Sequence, residues 1–188
     1  PLVMPELQQA IRPLAWAEAT YGDAILGLPL EMRGMVLYRN AALQPQPAPK
    51  VYDMVKWAKT GTDRYADSAP MDFSFSHTGG LLGACGGTLV RPGGALGFDE
   101  RSGVCWLTLL SRLRGYGPLV FGTGQDVASF SKGHSPWLIG STDSELALAE
   151  VIGARQLNID PWPVYEPTGG RLAGFVSTEN AYFVRALS

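Results

Sequence analysis

Glycine occurs 23 times and proline 14 times in the 188 residues of this chain, so a residue that punctuates regular structure arrives about once in every five. Proline removes a backbone donor and clashes with the preceding helical turn, and glycine loses the most conformational freedom when it is ordered. Gly pairs at 79–80, 86–87, 93–94 and 169–170 punctuate the chain without a recurring side-chain pattern. Apolar residues make up 46%, enough to build a core and to exclude disorder. The length suits a single domain over residues 1–188.

The pieces can be read from periodicity. Residues 5–22 carry Leu7, Ala10, Ile11 and Leu14 at helical spacing, with Pro13 as a break and Gly22 as a stop. Residues 34–38 read as a short strand. Residues 41–49 form a Pro-rich, extended loop inside the domain. A helix is expected over 49–60, where Pro49 suits the first turn, Val51, Met54, Val55 and Ala58 share a face, and Gly61 ends it. From 73 to 121 the pattern suggests strands: Phe73-Ser74-Phe75-Ser76 alternates, 83–90 is small and apolar, and 118–121 is extended. Arg91-Pro92-Gly93-Gly94 marks a turn, and 104–113 fits either period. Thr142-Asp143-Ser144-Glu145 is a capping-box signature opening a helix to about Arg155. Residues 171–187 read as a hairpin around Thr178-Glu179-Asn180. The expected class is α+β, a mainly antiparallel sheet with about three helices packed against it.

Charge narrows the function. There are 15 basic and 17 acidic residues, a net charge of -2, which excludes a broad electrostatic nucleic-acid footprint. No apolar run reaches the ~20 residues of a membrane-spanning helix. Cys85 and Cys105 are too few for a disulfide scaffold or a cysteine zinc site; they form one bridge or remain two reduced core thiols. No charged segment followed by an apolar one opens the chain, so a cytoplasmic or virion setting is expected.

Several short patterns carry chemistry. Cys105-Trp106 followed by an apolar stretch resembles the nucleophile segment of papain-like cysteine proteases. That resemblance implies a thiolate at Cys105, His134 as its base, and Asp143 or Asn158 as the partner orienting the imidazole. The interval from Cys105 to His134 is short for that fold, and no glutamine sits suitably upstream. Cys105 as a small core residue and His134 as a loop residue is the favoured reading.

Ser129-Phe130-Ser131-Lys132, Lys59-Thr60-Gly61-Thr62 and His77-Thr78-Gly79-Gly80 are similar to the motifs of serine β-lactamases and penicillin-binding proteins. In that family the serine precedes the K-T-G or H-T-G strand; here it follows, and the chain is too short for the two-part architecture. Gly122-Thr123-Gly124 after an apolar stretch matches a phosphate-cradling loop loosely, but no βαβ unit supports it and a strand-end turn is expected. Asp63, Asp67 and Asp72 read as a solvated acidic loop without calcium-binding spacing, and the two histidines are far apart, so no metal site and no cofactor are expected. An N-terminal Pro1 resembles the general base of tautomerases, whose chains begin with a strand, whereas Pro5 and Glu6 point to a helix.

Charged residues are only 17%, against ~25% in ordinary soluble domains, and lysine occurs only at positions 50, 56, 59 and 132. Five tryptophans are spread along the chain. Protein–protein interfaces are likewise poor in lysine and rich in aromatics. A genome biased toward arginine, glycine, alanine and proline gives the same composition. The leading expectation is a non-catalytic subunit of a multi-copy assembly, of the virion, tail or secretion-apparatus type, whose partners are itself or other subunits. A small cysteine-dependent hydrolase or amidase using Cys105, His134 and Asp143 is the alternative. A module binding a small ligand in an aromatic-lined pocket is a third class.

Overall fold

A computed structural model describes residues 5–60, 70–98 and 100–182. The elements in chain order are α1 (Pro5–Ala10), α2 (Pro13–Ala19), β1 (Thr20–Tyr21), β2 (Ala24–Ile25), β3 (Gly27–Asn40), α3 (Val51–Thr60), β4 (Met71–Asp72) and α4 (Phe75–Thr78). A 3-10 segment (Gly79–Cys85) follows, then α5 (Glu100–Leu113), β5 (Leu119–Val120), α6 (Gln125–Ser131), β6 (Trp137–Ser141) and a second 3-10 turn (Thr142–Ser144). The chain continues with α7 (Glu145–Ile152), β7 (Leu157–Asp160), β8 (Val164–Tyr165), β9 (Gly170–Arg171) and β10 (Val176–Tyr182). The class is α+β with mainly antiparallel pairing, as expected, but the described residues hold seven α-helices rather than about three. Most of these helices are short, four to eight residues in five of the seven.

The chain divides into two compact units, residues 1–34 with 176–188 and residues 35–175. In the first, Pro13 stands in the first turn of α2, where its missing N–H is not needed, and so separates two helices. The N-terminal half of β3 pairs antiparallel with β10, Gly34 opposite Val176 and Gly27 opposite Tyr182. The hairpin expected around Thr178-Glu179-Asn180 is therefore absent: those residues lie inside β10. Their turn preference survives only as a register shift between Glu179 and Asn180. Glu18 of α2 fixes the strand by accepting from the Thr178 amide at 3.0 Å and its hydroxyl at 2.6 Å.

In the second unit the C-terminal half of β3 is central, with β6 on one edge and β7 on the other, both antiparallel. Alternation sends Leu37, Trp137 and Ile139 to one face and Tyr38 and Leu138 to the other. The first face packs with Val51 and Met54 of α3, Leu81 and Ala84 of the long 3-10 segment, and Leu109 and Leu113 of α5. The second packs with Phe130 of α6 and Leu148 of α7. Arg39, on the same strand, is buried and pairs with Asp160 of β7 through Nε at 2.8 Å. Its Nη1 donates to the carbonyls of Gln44 and Pro45 at 2.8 and 3.1 Å, which holds the Pro-rich loop 41–49 against the sheet.

The strands expected from 73 to 90 are absent: residues 75–85 are helical, and of 86–90 only Val90 makes an isolated antiparallel bridge, to Leu96. Ser74 precedes α4 and its amide is bound by the Asp72 carboxylate, so the brief alternation Phe73–Ser76 is the entry to a helix. Gly79 and Gly80 then pack where a side chain would not fit: a Cβ on Gly80 would stand 2.8 Å from the Ala173 carbonyl oxygen. Residues 104–113, which fit either period, are helical, burying Leu109 and Leu113 one turn apart. Arg91–Gly94 does turn, with the Gly94 amide donating to Arg91 at 3.0 Å.

Candidate functional site

The residues of the cysteine-hydrolase reading are distributed over separate places. Cys105 lies in α5 and its sulfur is bonded to that of Cys85, so it offers no thiolate. His134 sits in the turn after α6, where its ring makes no hydrogen bond among the described residues and rims a shallow cavity with Gln125 and Lys132. Asp143 belongs to the 3-10 turn after β6, and its amide donates to the Ser141 hydroxyl. Asn158 is in β7 opposite Arg39. A disulfide sulfur cannot attack a carbonyl, and this alternative is not carried further.

The other patterns dissolve for local reasons. Ser129 is in the last turn of α6, not at a helix start, and makes no side-chain bond to Lys132. Lys59 and Thr60 are the last described residues of α3, and Gly61 and Thr62 lie outside the described residues. Pro1, Asp63 and Asp67 lie outside the described residues. An aromatic-lined cavity of about 430 Å³ is present beside α3, with Trp57 and Trp137 in its wall.

Asp72 is not part of a solvated loop: it is 4% exposed. It ends β4, which pairs in parallel with β5, and the chain leaves β5 through a turn at Gly122 and Gly124, both at positive φ. That turn brings the Gly122 amide to 2.9 Å from Asp72 Oδ2, while the Ser74 amide donates to Oδ1 at 2.7 Å. The same turn starts α6 and places Asp126, 3% exposed, in its first turn. From α4 comes His77, whose Nδ1 lies 3.9 Å from Asp72 Oδ2. The Ser74 and Ser76 hydroxyls lie 2.8 and 3.2 Å from that same nitrogen. One donor atom from each of Asp72, His77 and Asp126 lies within 4.8 Å of the others.

Burial raises the Asp72 carboxyl, but its bonds from Ser74 and Gly122 and the neighbouring His77 outweigh it, and the group is held below the usual carboxylate range. Asp126 goes the other way. Burial raises it, the Val127 amide opposes, and the Asp72 charge adds to burial, leaving the group above its ordinary value.

Ser74, His77 and Asp72 have the composition of a serine-hydrolase triad without its geometry. A relay needs the hydroxyl on one ring nitrogen and the carboxylate on the other. Here both face Nδ1, so no proton can pass across the ring. Sequence reading missed this cluster because Asp126 is 54 residues from Asp72. The only local signal was an acid and a histidine five residues apart.

Large apolar side chains are also exposed. On α5, Val104 and Leu107 are each 59% exposed and lie opposite the buried Leu109 and Leu113. Val90, Leu96 and Phe98, in the segment leading to that helix, are exposed as well. No protein-family model matches the chain, and no curated protein matches it.

Proposed function

We propose that the chain is a non-catalytic subunit of a multi-copy protein assembly, of the virion, tail or secretion-apparatus type, acting through contacts with copies of itself or with other subunits. The observation that carries this reading is the outward face of α5. Val104, Leu107, Thr108 and Ser111 follow one another at helical spacing, all exposed and none charged. A helix that faces water through its whole life normally carries charge there. Burying side chains such as Val104 or Leu107 yields about 1.5–3 kcal/mol each. Val90, Leu96 and Phe98, in the segment leading to α5, are exposed large apolar side chains as well. The Cys85–Cys105 bond adds a second support, since such bonds persist in exported proteins and on particle surfaces rather than in a reducing cytosol.

Sedimentation velocity at tens of micromolar, in high salt so that ionic contacts are screened, tests the proposal. The expected result is a species larger than the 20.2 kDa chain, converted to monomer by the double substitution Val104→Glu, Leu107→Glu. A wild-type protein that remains monomeric under these conditions overturns it.

A further inference from the structure

We propose that Asp72, His77 and Asp126 form a binding site for one divalent first-row transition cation of the Zn²⁺ or Mn²⁺ type. The inference stands apart from the assembly reading and fails or survives independently of it.

Geometry is the first support. The three donors come from β4, α4 and α6 and already lie within 4.8 Å of one another. Ligands held about 2.0–2.2 Å from a tetrahedral cation are roughly 3.3–3.6 Å apart, so closure asks for shifts of about an ångström, within the reach of side-chain torsions. The Ser74 and Gly122 amides already fix the plane of the Asp72 carboxylate, and each of its oxygens keeps a lone pair for a cation. His77 Nδ1 lies 3.9 Å from Asp72 Oδ2, on the side of the carboxylates. Once Nδ1 turns to a metal, the Ser74 and Ser76 hydroxyls are released beside it as further oxygen donors.

Charge is the second support. Both carboxylates are almost wholly buried, and the cationic partner in reach of Asp72 among the described residues is His77. With both acids ionised, even a protonated imidazole leaves one negative charge unbalanced. A divalent cation with neutral imidazole balances the two carboxylates when both are ionised. Ligand chemistry then selects the metal. Calcium takes six to eight oxygens and magnesium keeps an octahedron of oxygens and waters, whereas a mixed imidazole–carboxylate set suits zinc, manganese or iron. Three protein ligands leave a fourth position to water or a serine hydroxyl.

The chain has only two histidines, which makes the test direct. The disulfide-intact, EDTA-stripped protein is titrated with Zn²⁺ by calorimetry and with Mn²⁺ while the histidine ring resonances are followed by NMR. Expected are one cation per chain, preference over Mg²⁺ and Ca²⁺, and paramagnetic broadening of the His77 ring at cation levels that leave His134 sharp. Asp126→Asn and His77→Gln should each weaken binding by about ten-fold or more, and His134→Gln should not. The broadening experiment uses wild-type protein, so it decides the matter even where a variant fails to fold. Absence of binding, binding unaffected by both substitutions, broadening of His134 instead of His77, or preference for Ca²⁺ overturns the proposal.

Discussion

Asp72 and Asp126 are neighbours of identical chemistry displaced in opposite directions, and the displacement makes opposite predictions for the same substitution. The Asp72 carboxyl is lowered, so its contribution to stability is present above the unfolded-state value and is lost as pH falls through the lowered folded value. Asparagine there can accept from only one of the Ser74 and Gly122 amides and turns its NH₂ toward the other. Asp72→Asn should therefore cost about 2 kcal/mol at neutral pH, read by denaturant unfolding of the metal-free protein. Asp126 is raised, so it destabilises the fold above its folded value; the penalty begins to lift as pH falls through that value and is gone below the unfolded-state value. Asp126→Asn should raise the melting temperature at neutral pH in EDTA, with the gain vanishing in acid. An equal loss of stability from both substitutions would contradict the opposed shifts. At this scale the sequence was half legible. Asp72, Ser74 and His77 lie together in the chain, but nothing local announces that a glycine turn after β5 carries Asp126 to the same point.

The elements that were read correctly are those whose determinants are local. Residues 51–60 follow a proline and carry an apolar face; residues 13–19 begin at a proline; 145–152 follows a polar turn, although it ends at Ile152, short of the expected Arg155, and its N-cap is Ser144 rather than Thr142. The elements misread between 73 and 113 owe their form to distant partners. Gly79 and Gly80 are helical because residues 173–175 close over them, and Phe175 meets both Gly79 and Phe75. Residues 178–180 are strand because β3 offers them an edge. Strand β3 also holds Arg39, whose guanidinium joins Asp160 of β7 to the carbonyls of the Pro-rich loop. Asp160→Ala strands that buried charge and should destabilise the protein by about 3–5 kcal/mol, measured by chemical denaturation. A cost below 1 kcal/mol would mean that water or another carboxylate replaces Asp160 at little loss.

For the molecule as a whole, the sparse charge and the two cysteines are visible in the sequence, and the structure adds the bond between the cysteines. Composition alone does not separate a sticky surface from a genomic bias; the proposed assembly role rests on the exposed Val104 and Leu107 of α5. Spacing alone does not separate a bridge from two thiols, because the contact between residues 85 and 105 depends on how the 3-10 segment meets α5. The cross-link spans 20 residues, and constraining a loop of that size in the unfolded chain is worth about 3 kcal/mol. Reduction, or the pair Cys85→Ala, Cys105→Ala, should lower stability by about that amount; an unchanged unfolding midpoint under reductant would remove the bond from the energetics. The same staple also decides what a protease leaves behind. A single cut anywhere between residues 86 and 104 severs the backbone but not the molecule, so the nicked protein runs as one band on a non-reducing gel and as two after thiol treatment.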